Sequence, residues 1–419
     1  MNGMDTIYYL IRVDQGSWIS IHPVFRWPVQ RLAENTINAV RFAVSMEVRE
    51  KKVELIELFY DLIYVYAISN LTLLVEDPEG GVITWQMYSV YIVFSMIIIL
   101  AWLLMTNYVN RYCTWRWYEY VLVVVNMSAA VLMTQTINND PELSAVTLIA
   151  SVAFMIACII VLYLIQYVKS GRKDSYAKYN LIVLLVMEAV FMAALGLRSA
   201  GYEEVAKHII AVNLVLGMIV PLVARKIYDA APFSFPHLVE RLELLTIIMF
   251  GEAIIAITGF IDLTNPEPLG FMNFLVIIMM FGFYVCQVHY LCDHHRVTRA
   301  IGMILCHYLI LISINLVTVA FIYSDVGEVD TMFVAAMMAL SMAVFNISLH
   351  GTCIYYHERF QRRPMDTALM LLFTAVGAAV MIGLSGEPYA VSVGAILGFG
   401  LNFAYFWMKY RSGTAPATD

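Results

Sequence analysis

Residues 53–69 read VELIELFYDLIYVYAIS, an apolar run that nevertheless carries three carboxylates, Glu54, Glu57 and Asp61. How this stretch is read decides the fold. A helix through it puts the acids at i, i+3 and i+7, within about 60° on one face. The run continues to Val75, and roughly 20 apolar residues suffice to cross a bilayer. Acids in a first turn favour the positive end of the helix dipole, which accounts for Glu54 and Glu57. Asp61 lies about 10 Å deeper. An acid there costs about 2.5–3.5 kcal/mol, so its face must turn inward to partners or water.

The rest of the chain agrees with a membrane reading. Of its 419 residues 61% are apolar and only 14% charged, with a mean hydropathy of +0.75; soluble globular domains lie well outside that range. The predicted fold class is all-α, a polytopic bundle. About twelve stretches qualify as spans: 53–75, 85–107, 117–137, 144–168, 179–197, 206–223, 239–261, 270–292, 300–323, 331–356, 366–384 and 389–408. The six cysteines show no paired spacing, so neither a disulfide framework nor a zinc site is expected. No leader with a charged start and a small-residue cleavage site is expected either.

Basic residues test the span count. With both termini cytoplasmic, 23 of the 25 Lys and Arg fall on the cytoplasmic side, leaving only Arg198 and Lys207 outside. A miscounted span would scramble that alternation. The net charge of −7 matters less than this placement. The expected organisation is a cytoplasmic segment 1–52, a first six-helix half 53–223, a second half 224–408 and a cytoplasmic tail 409–419. Within 1–52, Val29, Leu32, Ala33, Ile37, Val40 and Val44 are spaced as in an interfacial amphipathic helix, after the aromatic WISIHPVFRWP.

The stretch ELIELFYDLIYVYAI from Glu54 is echoed by ERLELLTIIMFGEAI from Glu240, both opening E-x-x-E-L. Six spans separate the two, so the halves would run parallel, related by an axis along the membrane normal.

ELFYDLIYVYAIS also resembles the ELFFDLVFVFA-type signature of the low-temperature-requirement A (LtrA) family of bacterial membrane proteins. TNYVNRYC from Thr106 is similar to that family's W-Y-x-N-R-F segment. HLVERLELLTIIMFGEAI from His237 is similar to its H-x-x-E-R-x-G-x-x-T-I-I-x-x-G-E-S segment. The chain departs from these patterns at Ala253, where the family has Ser, and at Glu243, where it has Gly. Cys113-Thr114-Trp115-Arg116 replace the family's acidic run. The resemblance implies a multi-pass protein of the bacterial inner membrane and assigns no reaction.

Function must come from the intramembrane polar residues, which are costly and mark pathways or relays. Asp61, Glu188 and Glu252 are the deep acids, expected to act as proton or cation coupling sites. Asp61 and Glu252 are expected to face one hydrated compartment, with Gly251 letting a neighbouring backbone approach. Glu54, Glu57, Arg111, Glu240 and Arg241 form an expected cytoplasmic gate network in which Arg111 pairs with Glu54 or Glu57. Asn107, Asn110, Asn213, His307 and His350 are candidate solute contacts, although lone Asn and His in spans more often bond a neighbouring helix. HYLCDHHR places His289 and Asp293 at i, i+4, a chelating spacing without a distal ligand set, so no metal is expected. Gly394 and Gly398 read as a small-residue packing seam.

These features favour a proton- or cation-coupled secondary transporter of a small solute or ion. The alternatives are a membrane enzyme acting on a lipid or isoprenoid headgroup at the cytoplasmic face, and a passive channel or sensor. The expected partners are the lipid bilayer and a small solute or ion. No cofactor and no nucleic acid is expected, and a homo-oligomer is compatible with the sequence.

Overall fold

The protein is described by a computed structural model covering residues 9–13, 17–21, 51–75, 78, 80–138, 141–223, 233–259, 261, 267–296, 298, 300–326 and 329–414. It divides into two units, Met1–Glu47 and Val48–Asp419.

In the first unit β1 (Tyr9–Val13) pairs antiparallel with β2 (Ser17–Ile21), from Tyr9 opposite Ile21 to Val13 opposite Ser17. The strands are rich in β-branched and aromatic residues, which suit pairing. Among the described residues this hairpin is the departure from an all-α chain. The amphipathic helix expected between Val29 and Val44 lies outside the described residues.

The second unit is helical. Its long helices are α1 (Leu55–Ser69, extended by a 3-10 turn Asn70–Leu74), α2 (Trp85–Tyr112), α3 (Trp117–Gln135) and α4 (Pro141–Lys169). They continue with α5 (Ser175–Ser199), α6 (Glu203–Val223), α7 (Phe235–Thr258) and α8 (Pro268–Val285, extended by a π-helical Cys286–Leu291). The last four are α9 (Ile301–Val326), α10 (Thr331–Gly351), α11 (Pro364–Gly383) and α12 (Ala390–Thr414). Each falls on one of the stretches expected to span the membrane. Among the described residues ten are long and apolar enough to cross a bilayer. The other two are α6, which opens with Glu203, Glu204 and Lys207, and α7, which carries Glu240, Arg241, Glu243 and Glu252.

Packing follows a pattern. Among the first six helices α1 touches α2 and α3, α2 touches α4 and α6, and α3–α4–α5–α6 contact in succession. Among the last six, α7 touches α8 and α9, α8 and its π-helical extension touch α12 and α10, and α9–α10–α11–α12 contact in succession. Between the two sets α1 against α7 is the most extensive contact. The expected glycine seam is present: a Cβ on Gly377 of α11 would lie 2.6 Å from Gly394 O and 2.9 Å from Gly398 Cα. Only hydrogen side chains permit that approach.

Candidate functional site at the α1–α7 seam

The α1 stripe Glu57, Tyr60, Asp61, Tyr64, Val65 and Ile68 is buried, at the i, i+3/i+4 spacing of one helix face. Opposite it stands the first half of α7. Ser234 caps α7, its Oγ accepting from His237 N at 3.4 Å, with Pro236 in the first turn. Ser234 is itself held from α2: Asn110 Oδ1 accepts from Ser234 N at 2.9 Å, and Asn110 Nδ2 donates to Ser234 O at 2.8 Å. This fixed start directs His237 and, one turn on, Arg241 at α1.

Arg241 forms a forked pair with Asp61. Nη2 donates to Asp61 Oδ1, and Nε donates to Oδ2 at 3.2 Å. Trp102 Nε1 of α2 donates to Asp61 Oδ1 at 2.7 Å. Arg241 Nη1 lies 3.6 Å from Glu57 Oε2. The guanidinium also rests near the faces of Trp102 and Tyr60, at 5.2 and 5.7 Å. The Tyr60 hydroxyl is 3.0 Å from that of Tyr64 and 3.1 Å from Asn126 Oδ1, tying α3 to the cluster. Side-chain exposure is 0% for Asp61 and His237 and 1% for Glu57 and Arg241, so the whole set is out of water.

Glu57 is placed differently from Asp61. His237 Nε2 approaches Glu57 Oε2 to 2.8 Å, a close ion-pair distance. Among the described residues Glu57 Oε1 has no donor, and besides Arg241 the His237 contact to Oε2 is the carboxylate's one close approach. Asp61 is thus saturated and Glu57 is not. Burying a charge is tolerable only when it is paired, so the cluster's weak point is Glu57 with His237.

Several expected site residues lie apart from this cluster. Asp61 does not share a hydrated compartment with Glu252, because Asp61 is sealed against Arg241 and Trp102. Glu252 sits half-buried about 16 Å along α7 from Arg241. A Cβ on Gly251 would meet nothing within 4 Å, so no backbone approaches there. Glu188 on α5 is half-buried, its Oε2 buried without a hydrogen-bond partner.

Of the expected gate network, Glu57 and Arg241 come together, whereas Glu54 and Glu240 are exposed. Arg111 does not take up either expected acid: its Nε donates to Asn107 Oδ1 at 3.0 Å and its guanidinium stacks over Tyr176 and Phe233. The physical reason is helix phase. Arg111 points toward α5, away from the stripe that carries Glu57.

The candidate solute contacts are engaged within the bundle. Asn107 Nδ2 donates to the hydroxyls of Tyr176 at 2.6 Å and Tyr163 at 3.3 Å. Asn213 donates to Met187 O at 3.2 Å, His307 bridges Tyr284 OH and Met303 O, and His350 Nε2 meets Thr367 Oγ1 at 3.0 Å. His289 and Asp293 do not chelate together. The π-helical turn sends His289 Nδ1 to Glu243 Oε1 at 3.2 Å, while Asp293 Oδ1 lies 4.0 Å from His357 Nδ1.

Sequence reasoning missed Trp102, Tyr60, Ser234 and Asn126. Two of them left a signal: a tryptophan N–H inside a span demands an acceptor, and Ser-Phe-Pro-His is a helix start. No curated protein matches the sequence. The three motif stretches from Glu57, Thr106 and His237 all lie in the helices that build this seam. The match to the family model described as bacterial low temperature requirement A protein (LtrA) runs over residues 52–400, and the chain belongs to that family.

Proposed function

We propose that this protein is a proton-coupled secondary transporter of a small solute, built as two parallel six-helix halves that rock about the α1–α7 seam. Support for the halves comes from packing: each neighbour pair among α1–α6 recurs six helices later, α1–α3 as α7–α9 and α2–α6 as α8–α12. The shared E-x-x-E-L openings of α1 and α7 agree. In this reading α6 and α7 also span, giving twelve passes with both termini in the cytoplasm of a bacterial inner membrane.

The observation that carries the proposal is the charge balance of the seam. Two carboxylates, Glu57 and Asp61, are sealed with one permanent cation, Arg241. Neutrality inside a low-dielectric seam requires one further positive charge, and a proton held between Glu57 and His237 supplies it. Lys51, whose charge also reaches Glu57, is held at Val109 O and Cys113 O rather than at the carboxylate itself. Asp61 then acts as a lock, and Glu57 with His237 as the titrating pair. Glu188 and Glu252 stand apart as secondary protonatable groups.

The test is flux. Purified protein in liposomes under an imposed pH gradient, screened against a broad solute panel on a solid-supported membrane, should give a proton-coupled current. That current should vanish in Glu57→Gln. No coupled current for any solute contradicts the proposal.

A further inference from the structure

Below the seam, on the side where α1 and α7 begin, Glu57, Tyr60 and Arg241 line a narrow, partly open cleft with Met105, Val109, Val123 and Trp115. The cleft is too narrow as it stands to seat a water molecule. Two orphaned groups border it. Glu57 Oε1 is a buried acceptor without a directed donor, and Trp115 Nε1 is a buried donor without an acceptor. A group that accepts from one and donates to the other completes both, and water or hydronium is the smallest that does.

Trp115 is also the strained element. It lies in the short loop between α2 and α3 with φ of 56°, a left-handed conformation that a bulky residue rarely adopts. The loop on either side is fastened. Glu119 Oε2 accepts from Arg116 N at 2.7 Å and Thr114 N at 3.2 Å, and Glu119 Oε1 accepts from Tyr108 OH at 3.2 Å. Fixed flanks with one strained, half-buried ring between them describe a plug that moves without its loop unfolding.

We infer that the Glu57–Trp115 cleft is the protein's proton-loading site. When the Trp115 ring swings outward a single hydronium enters and transfers its proton to the Glu57 carboxylate, and the resulting water stays between Trp115 Nε1 and Glu57 Oε1 only while the cleft is widened. The charged and titratable groups facing Glu57 are His237 and Arg241 on α7, Tyr60 and Asp61 on α1, Lys51 at the rim and Cys113 at the end of α2, with Glu119 behind the plug. Water access stands on this geometry alone; its use in coupling rests on the transport reading.

Hydroxyl-radical footprinting in nanodiscs tests it, because the oxidation rate reports water at a side chain. Met105 lines the cleft at 1% exposure, and Met338 on α10, at 0%, is the internal reference. In the wild type Met105 should oxidise about three times faster than Met338, through transient opening of the plug. Trp115→Gly removes the ring and suits the left-handed backbone, so it should raise the ratio by about a further five-fold without loss of fold. Trp115→Phe keeps a plug and should leave the wild-type ratio. A ratio unchanged by Trp115→Gly overturns the inference. Should that variant not fold, a wild-type ratio near one overturns it alone. Neither readout involves solute, so a failed flux assay and a failed footprint are separate results.

Discussion

Two seams in this molecule place polar groups deep in hydrocarbon and handle them in opposite ways. At α1–α7 the groups are charged, and Asp61 and Arg241 saturate one another with help from Trp102. At α10–α11–α12 they are neutral. Asn346 Nδ2 and Asn402 Nδ2 both donate to Thr374 Oγ1, at 2.9 and 3.3 Å, leaving the two amide oxygens buried without donors. The charged seam joins the two sets of six helices, whereas the amide seam lies within one set. Strong, switchable charge pairing thus sits where separation is proposed, and weak fixed pairing where the helices are held by the glycine contact.

The contrast can be broken most forcibly at the lock. Removing one partner of a buried pair strands the other, so Asp61→Ala or Arg241→Ala should cost about 3–5 kcal/mol. The double variant Asp61→Leu/Arg241→Met should recover most of that and still show no coupled flux. Reversible unfolding in mixed micelles reads the first effect. A single variant of wild-type stability would mean the pair contributes no lock.

The glycine contact comes next. Gly377→Ala puts a methyl 2.6 Å from Gly394 O and should destabilise the same assay by about 1–3 kcal/mol. The amide seam should respond less and with an asymmetry. Thr374→Val leaves the Asn346 Nδ2 donor unpaired, at about 1–3 kcal/mol, while Asn402 Nδ2 keeps Gly398 O at 2.8 Å; Asn346→Leu/Asn402→Leu removes both orphaned oxygens and should be close to neutral. Equal costs would show that the amide oxygens are satisfied after all.

The smallest effect is chemical. Burial pushes the Cys113 thiol, next to the plug loop, up to about 12. A raised value keeps the neutral thiol, so at pH 8 only about one molecule in 10⁴ is thiolate. Alkylation at pH 8, followed by peptide mass spectrometry, should leave Cys113 nearly unlabelled and should speed up in Trp115→Gly.

Much of the architecture was legible because it is one-dimensional information. Hydropathy marked the long helices of the described residues, because burial in lipid and burial in a bundle both ask for apolar runs. The site was legible only in part. Glu57, Asp61 and Arg241 stand out as charges in apolar helices, but Asp61 and Arg241 meet across 180 positions, and helix spacing reports only neighbours on one helix. The same limit misplaced Arg111, whose phase sends it to Tyr176 rather than Glu57. Trp115 carried no helical signal, being a loop residue whose role depends on a left-handed φ. The strand Ser17–Ile21 overlaps the aromatic stretch WISIHPVFRWP, whose residues suit an interface or a strand equally.

The central claim is that a proton at the seam decides whether the two sets of helices separate. Spin labels at Lys173→Cys and Arg359→Cys, both exposed on loops beyond α4 and α10, allow the distance between the sets to be measured by pulsed electron paramagnetic resonance in nanodiscs. The account predicts one distance at pH 5 and, at pH 8, in Glu57→Gln, where the seam is neutral, with a second, longer population in the wild type at pH 8. One unchanged distance under all three conditions would contradict it.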